Sequence, residues 1–230
     1  MGKGRDGRGI DHVRMLFNEG SVAGLTDAEL LERFTARDGE AAQSAFAMIV
    51  ERHGPMVLRV CGSILRDRHE AEDAFQATFL VLARRARSLW VRGSLGPWLH
   101  QAAYRVALSA RAASARRRRH ERRAAELGAS AAAVTEVVPD DQGEVIHEEV
   151  DRLPEGCRSA VVLCYFEGLS PEQAARVLEC PVGTVQSRLA RGRERLRSRL
   201  TRRGLGAVVG ALMGASAPPA PSTLLVDAAV

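Results

Sequence analysis

The sequence predicts an all-α protein made of two small helical domains joined by a flexible linker, with a helix-turn-helix in the second domain. Of its 230 residues 46% are hydrophobic but only 4% aromatic, and runs of β-branched residues are few. A chain of this length can bury a real core in one or two domains. The predicted segments are a flexible leader (1–24), a first helical domain (25–123), an acidic linker (124–143), a helix-turn-helix domain (144–203) and a Gly/Ala/Pro-rich tail (204–230).

The first two predicted helices follow the leader. Thr26–Glu29 has the form of a capping box and begins a short helix. Apolar residues then recur at helical spacing from about Glu40 to Leu65. Because proline lacks the amide donor, Gly54-Pro55 is expected to bend or interrupt this longer helix.

A third helix is expected to start at Asp67, with Glu70 three residues further on. Its apolar stripe leaves Glu72, Asp73 and Gln76 on or near the exposed side. The stripe consists of Ala71, Ala74, Phe75, Thr78, Phe79 and Leu82.

Positive charge is concentrated in two blocks. Between 84 and 123 there are twelve arginines and one acid, Glu121, and between 184 and 203 there are eight arginines and one acid, Glu194. The stretch 124–151 between the blocks holds eight acids and no basic residue. Two basic surfaces separated by an acidic spacer suggest a polyanion that is bound at two places.

The first basic block continues a helix that starts at Pro97 and carries Trp98 near its beginning. Aromatic rings near a basic helix suit unstacked bases, because rings stack on bases while arginines bind phosphates. A core position is the other interpretation of Trp98, and both roles are compatible.

The stretch 169–199 has the form of a helix-turn-helix. Ser170, Pro171 and Gln173 form a capping box, and Cys180-Pro181 cannot continue that helix. A basic amphipathic helix follows the break, as in motifs that place their second helix in the DNA major groove. The alternative is a helical hairpin with a basic face that binds nothing.

Catalytic and metal-binding patterns are not evident. The four cysteines and six histidines lack zinc-ligand spacing, which suggests buried thiols in a reducing cytosol. Glu70, Glu72 and Asp73 lie near each other without a histidine pattern, so neither an enzyme nor a metal site is expected. No cofactor, signal peptide or membrane insertion is expected, and a cytoplasmic location follows.

Three motifs together resemble bacterial RNA polymerase sigma factors of the extracytoplasmic-function group, over about residues 26–200. DRHEAEDAFQATFLVLARRA (67–86) looks like their clamp-binding helix, and 94–111 resembles their promoter-melting helix. LPEGCRSAVVLCYFEGLSPEQAARVLECPVGTVQSRLARGRERL (153–196) resembles their promoter-upstream domain. The chain departs from the family pattern at Ala77, where many relatives have a second acid, and at Ala190, where relatives often carry a bulkier residue.

The resemblance implies a promoter-specificity subunit without catalysis of its own. Its partners would be core RNA polymerase (the clamp of the largest subunit and the flap of the second largest), promoter DNA and an anti-sigma factor. Residues implied to bind the clamp are Glu72, Asp73, Gln76 and Phe79. Residues implied to melt and capture the −10 element are Trp90, Arg92, Trp98, Arg105, Arg111 and Arg116. Residues implied to face the −35 element are Thr184, Gln186, Ser187, Arg188, Arg191 and Arg195.

A conventional helix-turn-helix regulator is the nearest alternative function. In such a protein the first domain would sense a signal or dimerise. It would not require the acidic and aromatic surface Glu72–Phe79 or a second basic helix suited to single strands.

Overall fold

The computed structural model describes residues 24–36, 39–91, 93–126 and 142–205. Within these ranges the chain forms helices joined by short turns and contains no β-strand. The all-α prediction is therefore confirmed. The predicted leader, apart from Gly24, and the predicted tail from position 206 onward lie outside the described residues.

The first bundle is built around a long second helix. Its helices are α1 (Asp27–Ala36), α2 (Glu40–Ile64), α3 (Arg68–Arg85) and α4 (Gly96–Glu126). The Glu29 amide donates to Thr26 Oγ1 at 3.3 Å, as the predicted capping box requires. The Glu70 amide likewise donates to Asp67 Oδ1 at 2.9 Å, so α3 begins where predicted. The core includes Leu30, Ile49, Val57, Leu82 and Leu99, all fully buried.

Helix α2 runs without interruption through Pro55, so of the two predicted effects, a bend or an interruption, the interruption is wrong. Proline removes the hydrogen bond that would otherwise reach the carbonyl of Glu51. Both Glu51 and Pro55 lie on the exposed side of α2, where water can bind that carbonyl. The neighbouring Gly54 is buried against the ring of Phe75, since a Cβ at Gly54 would lie 3.5 Å from Phe75 Cε2. Packing on the buried side thus keeps the helix continuous.

The second bundle contains α5 (Gln142–Asp151), α6 (Glu155–Val161), a π-helical turn (Val162–Phe166), α7 (Pro171–Val177) and α8 (Val182–Arg202). The predicted capping box is present: the Gln173 amide donates to Ser170 Oγ at 3.2 Å, and the Ser170 amide donates to Gln173 Oε1 at 2.8 Å. Its core includes Val150, Leu153, Val161, Leu163, Val185, Leu189, Leu196 and Leu200.

Helices α7 and α8 form the predicted helix-turn-helix. The turn between them contains Glu179 at a φ of 49°, in the left-handed region. Helix α8 then packs closely on α6 at Gly192, where an added Cβ would lie 2.9 Å from Val161 Cγ2. A side chain at this position would push α8 away from its support, so glycine permits the short distance between the two helices.

The linker is shorter than the predicted 124–143 at both ends. Helix α4 extends to Glu126, and α5 already begins at Gln142. Alanine and glutamate at 124–126 are good helix formers, which explains the extension of α4. The remaining linker positions, 127–141, lie outside the described residues.

Candidate nucleic-acid interface

Helix α8 separates a supporting face from a polar face. The supporting face is buried and consists of Val185, Leu189, Gly192, Leu196 and Leu200. The polar face presents Thr184, Ser187, Arg188, Arg191 and Arg195, which recur at intervals of three and four residues and therefore form one stripe. Within it, Arg191 Nη2 donates to Ser187 Oγ at 3.3 Å. This stripe starts at the helix N-terminus, where recognition helices contact bases.

Gln186 does not share this stripe. Two residues correspond to about 200° around an α-helix, so Gln186 projects on the opposite side from Thr184. Its side chain is exposed. The structure therefore brings five of the six predicted −35 residues together and places Gln186 on the other flank of α8.

The arginines at the end of α8 do not continue the exposed polar stripe but form ion pairs with carboxylates. Glu149 on α5 is only 2% exposed. Its carboxylate forms ion pairs with Arg199 at 3.2 Å, Arg203 at 3.1 Å and Arg152 at 3.3 Å. A buried carboxylate is stable when it is paired in this way. Arg199 and Arg203 thereby hold α5 against α8. The acidic block of the sequence thus includes a structural anchor that the charge pattern alone did not reveal.

The predicted −10 residues lie along α4 and the loop before it. Trp90 is 80% exposed, and Trp98 is half-buried against the first core, so packing is part of the role of Trp98. Arg116 is exposed near the basic end of α4. Arg92 lies outside the described residues.

The two remaining −10 arginines, Arg105 and Arg111, contact acids of the second bundle. An Arg105 nitrogen lies 3.9 Å from Asp151 Oδ2. Arg111 forms an ion pair with Glu144. Both acids belong to α5, so the second bundle occupies the side of α4 to which these arginines point.

Asp27 fixes the loop that precedes α4. Its carboxylate accepts hydrogen bonds from the Leu95 amide at 2.7 Å and from Ser94 Oγ at 3.0 Å. Burial raises the pKa of Asp27, but the hydrogen bond and charge of His53, with the Leu95 amide and Arg52, hold it well below its usual range. Asp27 is therefore ionised, and α1 positions this loop. The capping box at Thr26–Glu29 did not indicate that Asp27 positions the loop before α4.

His53 is the buried partner of Asp27. Its Nε2 lies 2.9 Å from Asp27 Oδ2, and its Nδ1 lies 2.6 Å from Glu167 Oε1 of the second bundle. Burial lowers the pKa of His53, but the hydrogen bonds and negative charges of the two carboxylates outweigh burial and raise the pKa to about 9. His53 is therefore an imidazolium at neutral pH, donating to a carboxylate from each ring nitrogen.

Helix α3 presents part of the predicted polymerase surface. Asp73 and Gln76 are exposed, and Glu72 accepts a 2.8 Å hydrogen bond from Arg68 Nε. Phe79, in contrast, is only 4% exposed and packs edge-on against Phe75 and Phe46 in the core. The prediction that Phe79 lies on this surface is wrong, because its position on the apolar stripe of α3 turns the ring towards α2.

Leu80 supplies the apolar side chain of this surface. It is 60% exposed, although leucine is usually buried. Leu80 follows Gln76 by four residues and Asp73 by seven, so all three side chains lie on one face of α3. This spacing was present in the sequence and could have identified Leu80.

The described residues contain no group of three or more potential metal ligands. Glu70 accepts a 2.6 Å hydrogen bond from Ser114 on α4 and thus tethers that helix rather than a metal. Among the described cysteines, burial raises the pKa of both Cys61 and Cys164 to about 11, so these thiols stay protonated. No described helix is both long enough and apolar enough to cross a membrane.

Comparison with known proteins matches both bundles. Residues 49–120 match the family described as Sigma-70 region 2, and residues 143–196 match Sigma-70, region 4. The RNA polymerase sigma-H factor of Pseudomonas aeruginosa is 29% identical over 178 residues, which cover 73% of this chain and 90% of that protein. The ECF RNA polymerase sigma-E factor of Haemophilus influenzae is 30% identical over 188 residues, which cover 76% of this chain and 96% of that protein.

A solved structure is also similar. The structure of CnrH in complex with the cytosolic domain of CnrY has a TM-score of 0.36 and 22% sequence identity. The similar region covers 76% of this chain and 97% of CnrH.

Proposed function

Because the chain belongs to the extracytoplasmic-function group of RNA polymerase sigma factors, it directs transcription initiation, and we propose here how its surfaces divide that work. Its partners are core RNA polymerase and promoter DNA. The observation that carries the proposal is the presence of two basic helices, α4 and α8, on two bundles with separate cores.

The second bundle would recognise the −35 element through the polar stripe of α8. Thr184, Ser187 and Arg188 lie in its first turns, where bases of the major groove are within reach. Arg191 and Arg195 continue the stripe and suit guanine or phosphate contacts, because guanidinium groups bind both in a bidentate manner. Gln186 projects on the opposite side of α8 from Thr184, so it is not assigned a base contact in this arrangement.

The first bundle would melt and capture the −10 element. The exposed indole of Trp90 offers a stacking surface for an unpaired base. The exposed Arg116 adds phosphate attraction at the basic end of α4. Arg92, Trp98, Arg105 and Arg111 complete this proposed set.

Core polymerase would bind the exposed face of α3, formed by Glu72, Asp73, Gln76 and the newly identified Leu80. An apolar residue within a polar patch is typical of the centre of a protein interface. The clamp of the largest subunit is the proposed partner of this face, and the flap of the second-largest subunit that of the second bundle. An anti-sigma factor remains a prediction from the family resemblance. The chain would act in the cytoplasm without catalysis of its own.

Transcription by purified core polymerase tests the proposal directly. Templates should include the DNA upstream of the gene for this chain, transcribed with and without the protein. Start-site-specific transcripts that require the protein are expected. Binding to the same DNA without any association with polymerase would contradict the proposal.

A further inference from the structure

Two histidines face each other where α4 of the first bundle meets α5 of the second. His100 on α4 is fully buried, and His147 on α5 is 5% exposed. His100 Nε2 and His147 Nδ1 are 3.0 Å apart. The ring of Phe166 packs against both imidazoles, with ring centroids 4.8 Å from His100 and 5.4 Å from His147. The contact between the bundles thus encloses a histidine pair away from water.

The geometry of this pair limits the number of protons that it can hold. Two ring nitrogens form a hydrogen bond only when one carries a proton and the other offers its lone pair. With both rings protonated, two N–H groups would point at each other across 3.0 Å. An imidazolium at His100 would also donate from Nδ1, which is buried without a hydrogen-bond partner among the described residues. The packed pair therefore fits two neutral rings.

The positive charges near the pair oppose a further proton. Arg158 of α6 donates to the backbone carbonyls of Asp151 and Leu153, and its charge acts on His100. Arg59 of α2 donates to the carbonyl of Phe166, whose ring covers both histidines. Neither arginine can accept a hydrogen bond from an imidazolium.

The other titratable groups at the contact do not compensate. Its carboxylates bind other partners, namely Asp151 with Gln101 and Arg105, Glu144 with Arg111, Glu148 with Arg152 and Arg203, and Glu167 with His53. In the part of the chain that the structure describes, none of them is hydrogen-bonded to His100 or His147. Tyr104 of α4 stays neutral, because burial and the acids of α5 raise its pKa. A proton on either histidine would thus be a buried charge without a counterion.

Burial accordingly lowers the pKa of both histidines. For His100, burial and the charge of Arg158 lower the pKa from 6.5 to about 4. For His147, burial and the charge of His100 lower the pKa well below 6.5. His53 differs, since its two carboxylates raise its pKa to about 9. His53 is therefore charged throughout the pH range in which the pair would titrate.

Separation of the bundles would return both rings to water. Each bundle has its own buried core, and domains that meet through a largely polar contact can move apart. An imidazole in water has a pKa of about 6.5. Below that pH the separated form binds protons that the packed form does not, so the stability of the contact falls as the pH decreases from 6.5 towards 4. Above pH 6.5 both forms hold neutral rings, and the pair adds no pH dependence.

We propose that the His100–His147 pair is an acid-sensitive switch, in which proton uptake by the two rings separates the bundles. Between pH 7.5 and 5.5 the equilibrium constant for separation should increase about tenfold for one titrating histidine and about a hundredfold for two. If about one molecule in a hundred is open at pH 7.5, about half are open at pH 5.5. The switch does not depend on which DNA or polymerase surfaces the chain uses.

Glutamine variants of the full chain remove the titrating rings. His100→Gln and His147→Gln should each reduce the effect of acid from about a hundredfold to about tenfold, and the double variant should abolish it. His120→Gln is the matched control, because His120 is an exposed histidine on the same helix as His100. Circular dichroism at both pH values verifies that each variant is folded.

Small-angle X-ray scattering at pH 7.5 and 5.5 measures the separation. The radius of gyration should increase at pH 5.5 in the wild type and in His120→Gln, but should be the same at both pH values in the double variant. A wild-type radius of gyration that does not change with pH would overturn the proposal. An equal expansion of the wild type and the double variant in acid would overturn the role of the pair.

Nuclear magnetic resonance of the imidazole nitrogens tests the wild type without relying on the variants. Two of the six histidines should be neutral in the compact chain and should bind protons over the same pH interval in which the chain expands. Two protonated rings in the compact form, or two neutral rings in the expanded form, would overturn the proposal. If the glutamine variants are already expanded at pH 7.5, this titration decides the matter alone.

Discussion

The buried charge of His53 predicts a specific loss of stability at alkaline pH. A pKa raised from 6.5 to about 9 in the folded chain means that folding favours the protonated form. This contribution is fully present below pH 6.5, decreases as the pH rises from there, and is gone above pH 9. The difference between these two pKa values corresponds to about 3 kcal/mol.

The variant His53→Gln removes this titration. Its free energy of unfolding should lack the loss of about 3 kcal/mol that the wild type shows between pH 6.5 and 9. Urea unfolding followed by tryptophan fluorescence is a suitable assay, because the two tryptophans, Trp90 and Trp98, both report on the first bundle.

His69→Gln is the control for this experiment. The His69 side chain is 90% exposed on α3, so its replacement removes a histidine without touching the buried contacts of His53. Parallel profiles for the wild type and His53→Gln would refute the reasoning, because they would show that His53 binds its proton equally well in the folded and unfolded chains.

Three further predictions concern the proposed interfaces and the fold. Arg191→Ala should weaken binding of a −35 duplex, measured by fluorescence anisotropy, by about 1–3 kcal/mol if the contact is bidentate. An equal loss of affinity in Arg197→Ala, on another side of α8, would argue against a specific stripe. Asp73→Ala should weaken core polymerase binding in a pull-down titration but not −35 duplex binding; a parallel loss of both would contradict separate surfaces. Ser170→Ala should destabilise the second bundle by about 1 kcal/mol, since it removes a helix cap; an unchanged urea midpoint by circular dichroism would show that the cap contributes nothing.

Local features of the fold were predictable from the sequence because they depend on neighbouring residues. The capping pairs at Thr26 and Ser170 connect groups three residues apart, and the structure contains both. The polar stripe of α8 follows from helical periodicity in the same way. The predicted interruption at Pro55 was wrong because the surroundings of the proline decide whether it breaks the helix. Here solvent lies on one side of α2, and Gly54 packs on the other.

Features that depend on distant residues were not predictable. His53 and Glu167 are 114 positions apart, and neither stands out from its neighbours in the sequence. The pairing of Arg105 and Arg111 with acids likewise required the positions of both bundles.

The division of α8 into two faces has a consequence for how such a protein can acquire new targets. Of the side chains that would read DNA, Arg188 also contacts the bundle, through Cys180 Sγ at 3.8 Å, whereas Thr184 and Ser187 are not part of the buried supporting face. The short distance between α8 and α6 at Gly192 fixes the position of α8, whichever residues occupy the polar stripe. We therefore expect substitutions at Thr184 or Ser187 to change the proposed −35 specificity with little change in folding stability. Variation at Gly192 would displace every reading residue at once.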